Sequence, residues 1–329
     1  MFIQDANLFH PTSLLRRKMI VKSLRGRDLL SLRDLTAEEI LGLLRLASEL
    51  KKDRRMFCGR LGGKIVALLF EKPSTRTRVS LEVAVRELGG SSIYLGFNEL
   101  QLSRGEPVAD TAKVLSSYVD LIAARVRRHD DLVELAKWSD KPVVNALSDL
   151  DHPLQTLADL LTIWERFGKL AGIKIAWIGD GNNVCNSTLI GASKLGLHIS
   201  IACPNGYEPN EEYLKLAEEN AVESGSHIEL TDDPEKAVKD ADVIMTDTFV
   251  SMGMESEREQ RLKVFLPRYR VTEKLFEKAK PEAVFMHPLP AKRGEEVEES
   301  VIDGERSLVW RQAENRLHTA KAVLLSILG

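Results

Sequence analysis

The chain is poor in the features that mark several protein classes. Cysteine is scarce: Cys58, Cys185 and Cys203 are the three among 329 residues. Their number is odd and no C-x-x-C spacing occurs, which argues against a disulfide framework and against a cysteine metal site, and fits a reducing cytosol. Long apolar runs are missing too. None nears the roughly eighteen residues of a membrane span, and the first twenty-odd residues lack a secretory apolar core and a small-residue cleavage site. Charge of one sign is absent, the formal net charge being −3, so nothing draws the chain to nucleic acid or an anionic membrane. There are no solenoid-period repeats and no low-complexity tract. One local exception is the basic segment Arg16, Arg17, Lys18, Lys22, Arg25 and Arg27. Sparse serine and an acidic residue beside it argue against a transit peptide.

What is present is ordinary for a globular protein, with 43% hydrophobic and 29% charged residues, and the length predicts two domains with proper cores. The most informative stretch is Lys64 to Ser80. Ile65 to Phe70 is an unbroken apolar run, which reads as a buried parallel strand. Ser74-Thr75-Arg76-Thr77-Arg78 follows, and then Leu81, Ala84, Val85 and Leu88 fall on one helical face before Gly89-Gly90. The hydroxyls and guanidiniums therefore sit where a strand hands over to a helix N-terminus. Free amides and the positive dipole end meet there. With guanidiniums that bind phosphate oxygens bidentately, this is an anion site. Arginines clustered in a nearly neutral chain point to a small anionic ligand, where a generic polar turn would leave them solvated.

The same logic orders the rest. Residues 34–52 open with a capping signal in Asp34-Leu35-Thr36-Ala37-Glu38-Glu39 and continue with leucine at helical spacing, which reads as a helix. Ser91 to Leu95 is a second strand, 98–107 a polar loop, and Val108 to Tyr118 a helix. Asp120 to Val126 and Pro142 to Leu147 are further strands, and a helix runs from Leu154 to Phe167. A second series has strands at 173–178, 198–202, 227–230, 243–246 and 283–286, with helical segments between them. The prediction is an α/β protein: two doubly wound parallel-sheet domains, with the active site in the cleft between them. The first domain covers 1–168 and the second 169–312, and a last helix, 313–329, packs back on the first domain.

Five motifs occur here in an order that resembles the carbamoyltransferase family: Ser74-Thr75-Arg76-Thr77-Arg78, His152-Pro153-Leu154-Gln155, Gly179-Asp180-Gly181-Asn182-Asn183, Asp247 with Ser251-Met252-Gly253, and His287-Pro288-Leu289-Pro290. The Ser-Met-Gly element looks like the ornithine branch. The resemblance runs from about Leu24 to the end. It implies that Ser74, Thr75, Arg76 and Thr77 hold the phosphate of carbamoyl phosphate, with Arg125, His152, Gln155, Pro288, Leu289 and Arg316 completing that substrate's site. Thr77, Arg125 and His152 would polarise the carbonyl and stabilise the oxyanion, where such donors are typically worth ~3–4 kcal/mol each. Gln155 would accept from the carbamoyl NH2. Asn183, Asp247, Ser251 and Met252 would bind the amino acid. Gln101 matches a residue that reaches a neighbouring subunit's phosphate, which implies trimers with shared sites. The implied reaction gives citrulline from ornithine in the cytosol, with no cofactor and no metal, and the leaving phosphate is a plausible proton acceptor.

Taken without the resemblance, several of these residues have plain readings: Gln101 is a loop glutamine, His152 a helix cap, Arg316 a solvated helical arginine. One departure bears on substrate. His-Pro-Leu-Pro stands where the ornithine branch usually has His-Cys-Leu-Pro, and the proline is what the aspartate branch shows. Alternatives are therefore another amine (aspartate, acetylornithine, putrescine) or a non-catalytic carbamoyl-phosphate-binding paralogue. Gly179-Asp180-Gly181-Asn182-Asn183-Val184 also nearly matches the dinucleotide fingerprint of an NAD-dependent dehydrogenase. Its third glycine is Val184, however, and the next strand ends at Ala202-Cys203-Pro204-Asn205 without an acid for a ribose.

Overall fold

The structure, a computed structural model, describes residues 24–251 and 254–329. The basic segment up to Lys22 and Met252 lie outside the described residues. The first half is a parallel sheet of β1 (Ile65–Phe70), β2 (Ser91–Gly96), β3 (Leu121–Arg125) and β4 (Val143–Leu147), in the order β2-β1-β3-β4. The second is a parallel sheet of β5 (Lys174–Ile178), β6 (His198–Ala202), β7 (Ile228–Thr231), β8 (Val243–Met245) and β9 (Val284–Met286), in the order β7-β6-β5-β8-β9. β1, β8 and β9 are unbroken apolar runs, and most of the other strands are buried along nearly their whole length, because helices cover both faces and side chains of either parity are shielded. β1 and β3 show it, with β3 buried throughout.

The order of strands reverses between β1 and β3 in one sheet and between β5 and β8 in the other. At such a reversal the loops leaving the two central strands run to opposite faces, and a crevice opens at their carboxyl ends. The loops there are 71–74, the turn after Arg125, 179–182 and 246–251. Sheet topology alone thus gathers most of the segments singled out above.

The helices that matter for the site are α1 (Ala37–Lys52), α2 (Thr75–Glu87), α3 (Val108–Tyr118), α4 (His129–Trp138), α5 (Pro153–Phe167) and α6 (Asn183–Lys194). Thr36 caps α1 in a reciprocal box with Glu39, so the helix begins at Ala37 and not at 34; residues 32–34 form a separate 3-10 turn. The second half adds α7 (Glu211–Ser224), α8 (Pro234–Val238), α9 (Arg258–Phe265), α10 (Glu273–Phe276) and α11 (Glu299–Ile302), and the chain ends in α12 (Val309–Leu328). That last helix starts four residues before the predicted 313. Its first turn carries Trp310, Arg311 and Gln312, which interrupt the apolar periodicity that marks the rest. It packs against α1, α2 and α5. The largest core cluster runs from one sheet to the other through α5, α6 and α12.

Polar ties fix α12. Lys321 is fully buried and donates to the Arg54 carbonyl at 2.8 Å and to Glu87 at 2.9 Å. Removing the acid from such a pair typically costs about 3–5 kcal/mol, because a buried charge loses its partner. His318, also buried, has no partner for Nδ1 among the described residues. Burial, helped by the charge of Lys51, pushes its pKa down from 6.5 to about 4. Below about pH 6.5 the unfolded chain binds a proton there that the native chain refuses, so this residue lowers stability as pH falls toward 4. Relative to His318→Gln, the wild type should lose up to about 1.4 kcal/mol per pH unit across that window. Melting curves of both proteins at pH 7.5 and pH 5 measure it, and a gap that does not change with pH would contradict it.

Candidate active site

At the first sheet, β1 delivers Glu71 to Ser74 into the N-terminus of α2. Ser74 is the cap: its hydroxyl accepts from the Thr77 amide at 3.3 Å, while the amides of Thr75 and Arg76 belong to the first turn and have no intrahelical acceptor. Arg76 is half-buried and donates across the cleft to the carbonyl of Leu289. Arg125, the last residue of β3, is 6% exposed, and its Nε has no partner among the described residues. Burial and the nearby Arg76 charge bring its pKa down to about 10. Arg316 is 4% exposed and therefore not a solvated helical arginine; it lies two turns inside α12, not at its start. It donates to Thr77 Oγ1 at 3.0 Å and to Gln155 Oε1. Burial lowers it to about 9, opposed by Asp159 and assisted by Arg125 and Arg76.

His152 caps α5 from the same side. It is buried, its amide donates to Ser187 Oγ at 2.7 Å, and its Nδ1 has no partner among the described residues. Burial first, then the charges of Arg316, Arg125 and Arg76, hold its pKa well below 6.5. The imidazole is thus neutral at ordinary pH. One turn along α5, Gln155 donates from Nε2 to Asp159 at 2.8 Å, and Gln312 of α12 donates to the same oxygen at 2.7 Å. Asp159 is raised to about 7 by burial, though Gln312 and Gln155 donate to it. Three guanidiniums and a neutral histidine therefore face a space with little compensating negative charge.

At the second sheet the loops after β5 and β8 meet. Asn182 caps α6 and donates from Nδ2 to Asp247 Oδ2 at 2.8 Å; the Thr248 amide holds Oδ1 at 2.8 Å. Burial raises the Asp247 pKa. Asn183 donates to the Ser148 carbonyl of the first half at 2.6 Å. Ser251 sits partly buried at the end of the loop after β8. Just beyond, Arg261 of α9 is buried, bonds the Phe249 carbonyl and pairs with Asp180. The glycines of the fingerprint-like turn have a local explanation. A Cβ on Gly181 would lie 2.2 Å from the Pro209 nitrogen, so the backbone of 208–209 fills the approach that a dinucleotide's pyrophosphate would need.

The structure thus brings Ser74, Thr75, Arg76, Thr77, Arg125, His152, Gln155, Leu289 and Arg316 to one cleft, with Asn183, Asp247 and Ser251 on its other wall. Pro288 precedes Leu289 on the loop that leaves β9. Gln101 stands apart, exposed at the start of a 3-10 turn after β2. Asp159, Asn182, Glu296 and Gln312 were not foreseen. Asp159 could have been, as a lone acid in the run Leu157-Ala158-Asp159-Leu160-Leu161.

Comparison with known proteins follows this geometry. Residues 27–165 match the carbamoyl-P binding domain of aspartate/ornithine carbamoyltransferase, and residues 171–327 match its Asp/Orn binding domain. The chain is 54% identical over 316 residues to ornithine carbamoyltransferase of Pyrococcus abyssi, covering 94% of this chain and 98% of that protein. It is 55% identical over 306 residues to the Bacillus subtilis enzyme of the same name, covering 93% and 95%. The solved structure of ornithine carbamoyltransferase from Pyrococcus furiosus superposes with a TM-score of 0.90 at 54% identity, over 93% of this chain and 98% of that one. Fold, motif order and the arginine-lined cleft agree with this likeness along nearly the whole length, and the chain belongs to the aspartate/ornithine carbamoyltransferase family.

Proposed function

We propose that the chain transfers the carbamoyl group of carbamoyl phosphate to the δ-amine of L-ornithine, giving L-citrulline and phosphate. The observation that carries this is the cleft with Arg76, Arg125 and Arg316 on one wall and Asp247 on the other. One wall suits a dianion and the other a cationic α-amino group. The relatives named above as ornithine carbamoyltransferases support ornithine as the acceptor.

The roles follow from which atoms are already engaged. The amides of the α2 N-terminus, with Ser74, Thr75, Arg76 and Thr77, take the phosphate, and Arg125 bridges it to the carbonyl. Thr77 Oγ1 already accepts from Arg316, so its own proton is free to donate to the carbonyl oxygen. His152 donates as a neutral imidazole, because the surrounding guanidiniums oppose a second positive charge. Gln155 keeps one lone pair of Oε1 for the carbamoyl NH2. The carbonyls of Pro288 and Leu289 accept from that NH2 and from the attacking amine. Asp247 binds the α-amino group, with Asn183 and Ser251 beside it on that wall; the family likeness adds Met252, which lies outside the described residues, as an ornithine-binding residue. The δ-amine must reach the carbon unprotonated, and the leaving phosphate takes up its proton. Closing the cleft would keep water from a labile donor. Residues 1–168 would act as the carbamoyl-phosphate-binding domain and 169–312 as the ornithine-binding domain. Gln101, exposed and remote from its own site, fits a contribution to a neighbour's phosphate in a homotrimer.

Incubation with carbamoyl phosphate and a panel of ornithine, acetylornithine, putrescine, lysine and aspartate tests the activity: citrulline from ornithine is expected to dominate, and turnover with another amine alone, or with none, contradicts it. Arg76→Ala should raise the KM for carbamoyl phosphate and cut kcat by roughly 10²–10³-fold with the circular dichroism spectrum unchanged; unaltered kinetics would remove the phosphate assignment. Sedimentation should give a trimer or a multiple of it, and Gln101→Ala should raise the carbamoyl phosphate KM in that assembly. A fully active monomer would refute the shared site.

A further inference from the structure

Leu289, whose carbonyl meets Arg76, has φ of +59°, a conformation that a leucine rarely adopts. Something must hold it. The Leu289 amide donates to His287 Nδ1 at 2.9 Å. Because Nδ1 accepts, the proton of the neutral ring sits on Nε2. His287 is fully buried, and so is Glu296, whose Oε1 lies 3.4 Å from that Nε2. Glu296 itself is anchored by the backbone amide of Lys292. A carboxylate removed from water, with no lysine or arginine among the described residues bonded to it, is expensive to bury unless its acceptors are used. Here Oε1 alone takes the Lys292 amide and is the oxygen that His287 Nε2 faces at 3.4 Å, a contact longer and less aligned than a hydrogen bond, while Oε2 meets no donor among the described residues.

We propose that Glu296 is a positioning residue for carbamoyl transfer: through His287 it holds the Leu289 peptide, and with it the carbonyl that faces Arg76 and the transferred group. Glu296 touches no substrate. Its effect reaches the site by fixing the tautomer and tilt of one ring, as an acid behind a ligating histidine does in metal sites. This rests on the carbamoyl-transfer reading above.

The test is steady-state citrulline formation by wild type, Glu296→Leu, Glu296→Gln and His287→Asn, together with carbamoyl phosphate binding to each. Glu296→Leu removes the carboxylate that faces the Nε2 proton, and kcat should fall roughly 10–100-fold with a higher ornithine KM. Carbamoyl phosphate binding should be nearly unchanged, since 74–77 still hold the phosphate. Glu296→Gln keeps a carbonyl acceptor and should recover much of the loss. His287→Asn can take the Leu289 amide on its side-chain oxygen but cannot reach Glu296. The same split is expected there, and adding Glu296→Gln to it should cost nothing more. An unchanged kcat in Glu296→Leu, or in His287→Asn if the leucine variant does not fold, overturns the proposal. So does a lower melting temperature without the kinetic split. A wild type that forms no citrulline overturns the carbamoyl-transfer reading and the role of Glu296 with it, whereas an active wild type with indifferent variants overturns this inference alone.

Discussion

Three arginine side chains converge on one cleft with too few carboxylates to balance them, and most of the surrounding structure follows from holding them there. Arg125 and Arg316 are nearly inaccessible, and both have pKa values pulled down first by burial and then by neighbouring guanidinium charge, that of Arg76 for Arg125 and those of Arg125 and Arg76 for Arg316. An uncompensated buried charge is costly. The chain tolerates the arrangement because the guanidiniums are tied to neutral acceptors: the Leu289 carbonyl for Arg76, and Thr77 and Gln155 for Arg316. Neutral acceptors orient a guanidinium without cancelling its charge. That leaves a field which a doubly charged ligand satisfies, and which opposes protonation of His152.

The scaffold supplies rigidity where this field needs it. α12 leaves the second half of the chain and packs on α1, α2 and α5 of the first, so Arg316 reaches Thr77 from across the sequence. On the same helix, Gln312 donates to Asp159 and accepts from the His287 amide. One helix therefore joins the residues around the phosphate-type loop to the loop that carries Leu289. The amide orientation of Gln155 is set within the same web, its oxygen toward Arg316 and its nitrogen toward Asp159. The contacts that shape the site are thus also contacts between the two halves of the chain.

Much of the fold could be read from the sequence, because parallel strands covered on both faces leave short, largely apolar segments; β1 begins and ends where its unbroken run does, and β6 lies at 198–202 as predicted although Ser200 interrupts it. The strand-to-helix handover at Ser74 was legible for the same reason, since the cap and the apolar face of α2 are local signals. Where periodicity was diluted the reading slipped, as in the first turn of α12, which hid Val309 to Gln312. The supporting polar residues were harder still. Gln312 meets Asp159 across 153 residues of sequence, and Glu296 meets the His287 ring and the Lys292 amide within a loop, contacts that no helical or strand spacing announces; only the Gln155–Asp159 pair follows the i, i+4 rule. Gly181 was misleading in the opposite sense: its fingerprint spacing reflects the close passage of Pro209.

The central claim is that the mouth of the first sheet grips a phosphate and polarises the carbon attached to it. A crystal structure of the protein with carbamoyl phosphate tests this most directly. The account predicts phosphate oxygens within hydrogen-bond distance of the amides of residues 74–77 and of Arg76 and Arg125, with the carbonyl oxygen turned toward Thr77 and His152. A ligand bound elsewhere, with these groups making no contact to it, would contradict the account.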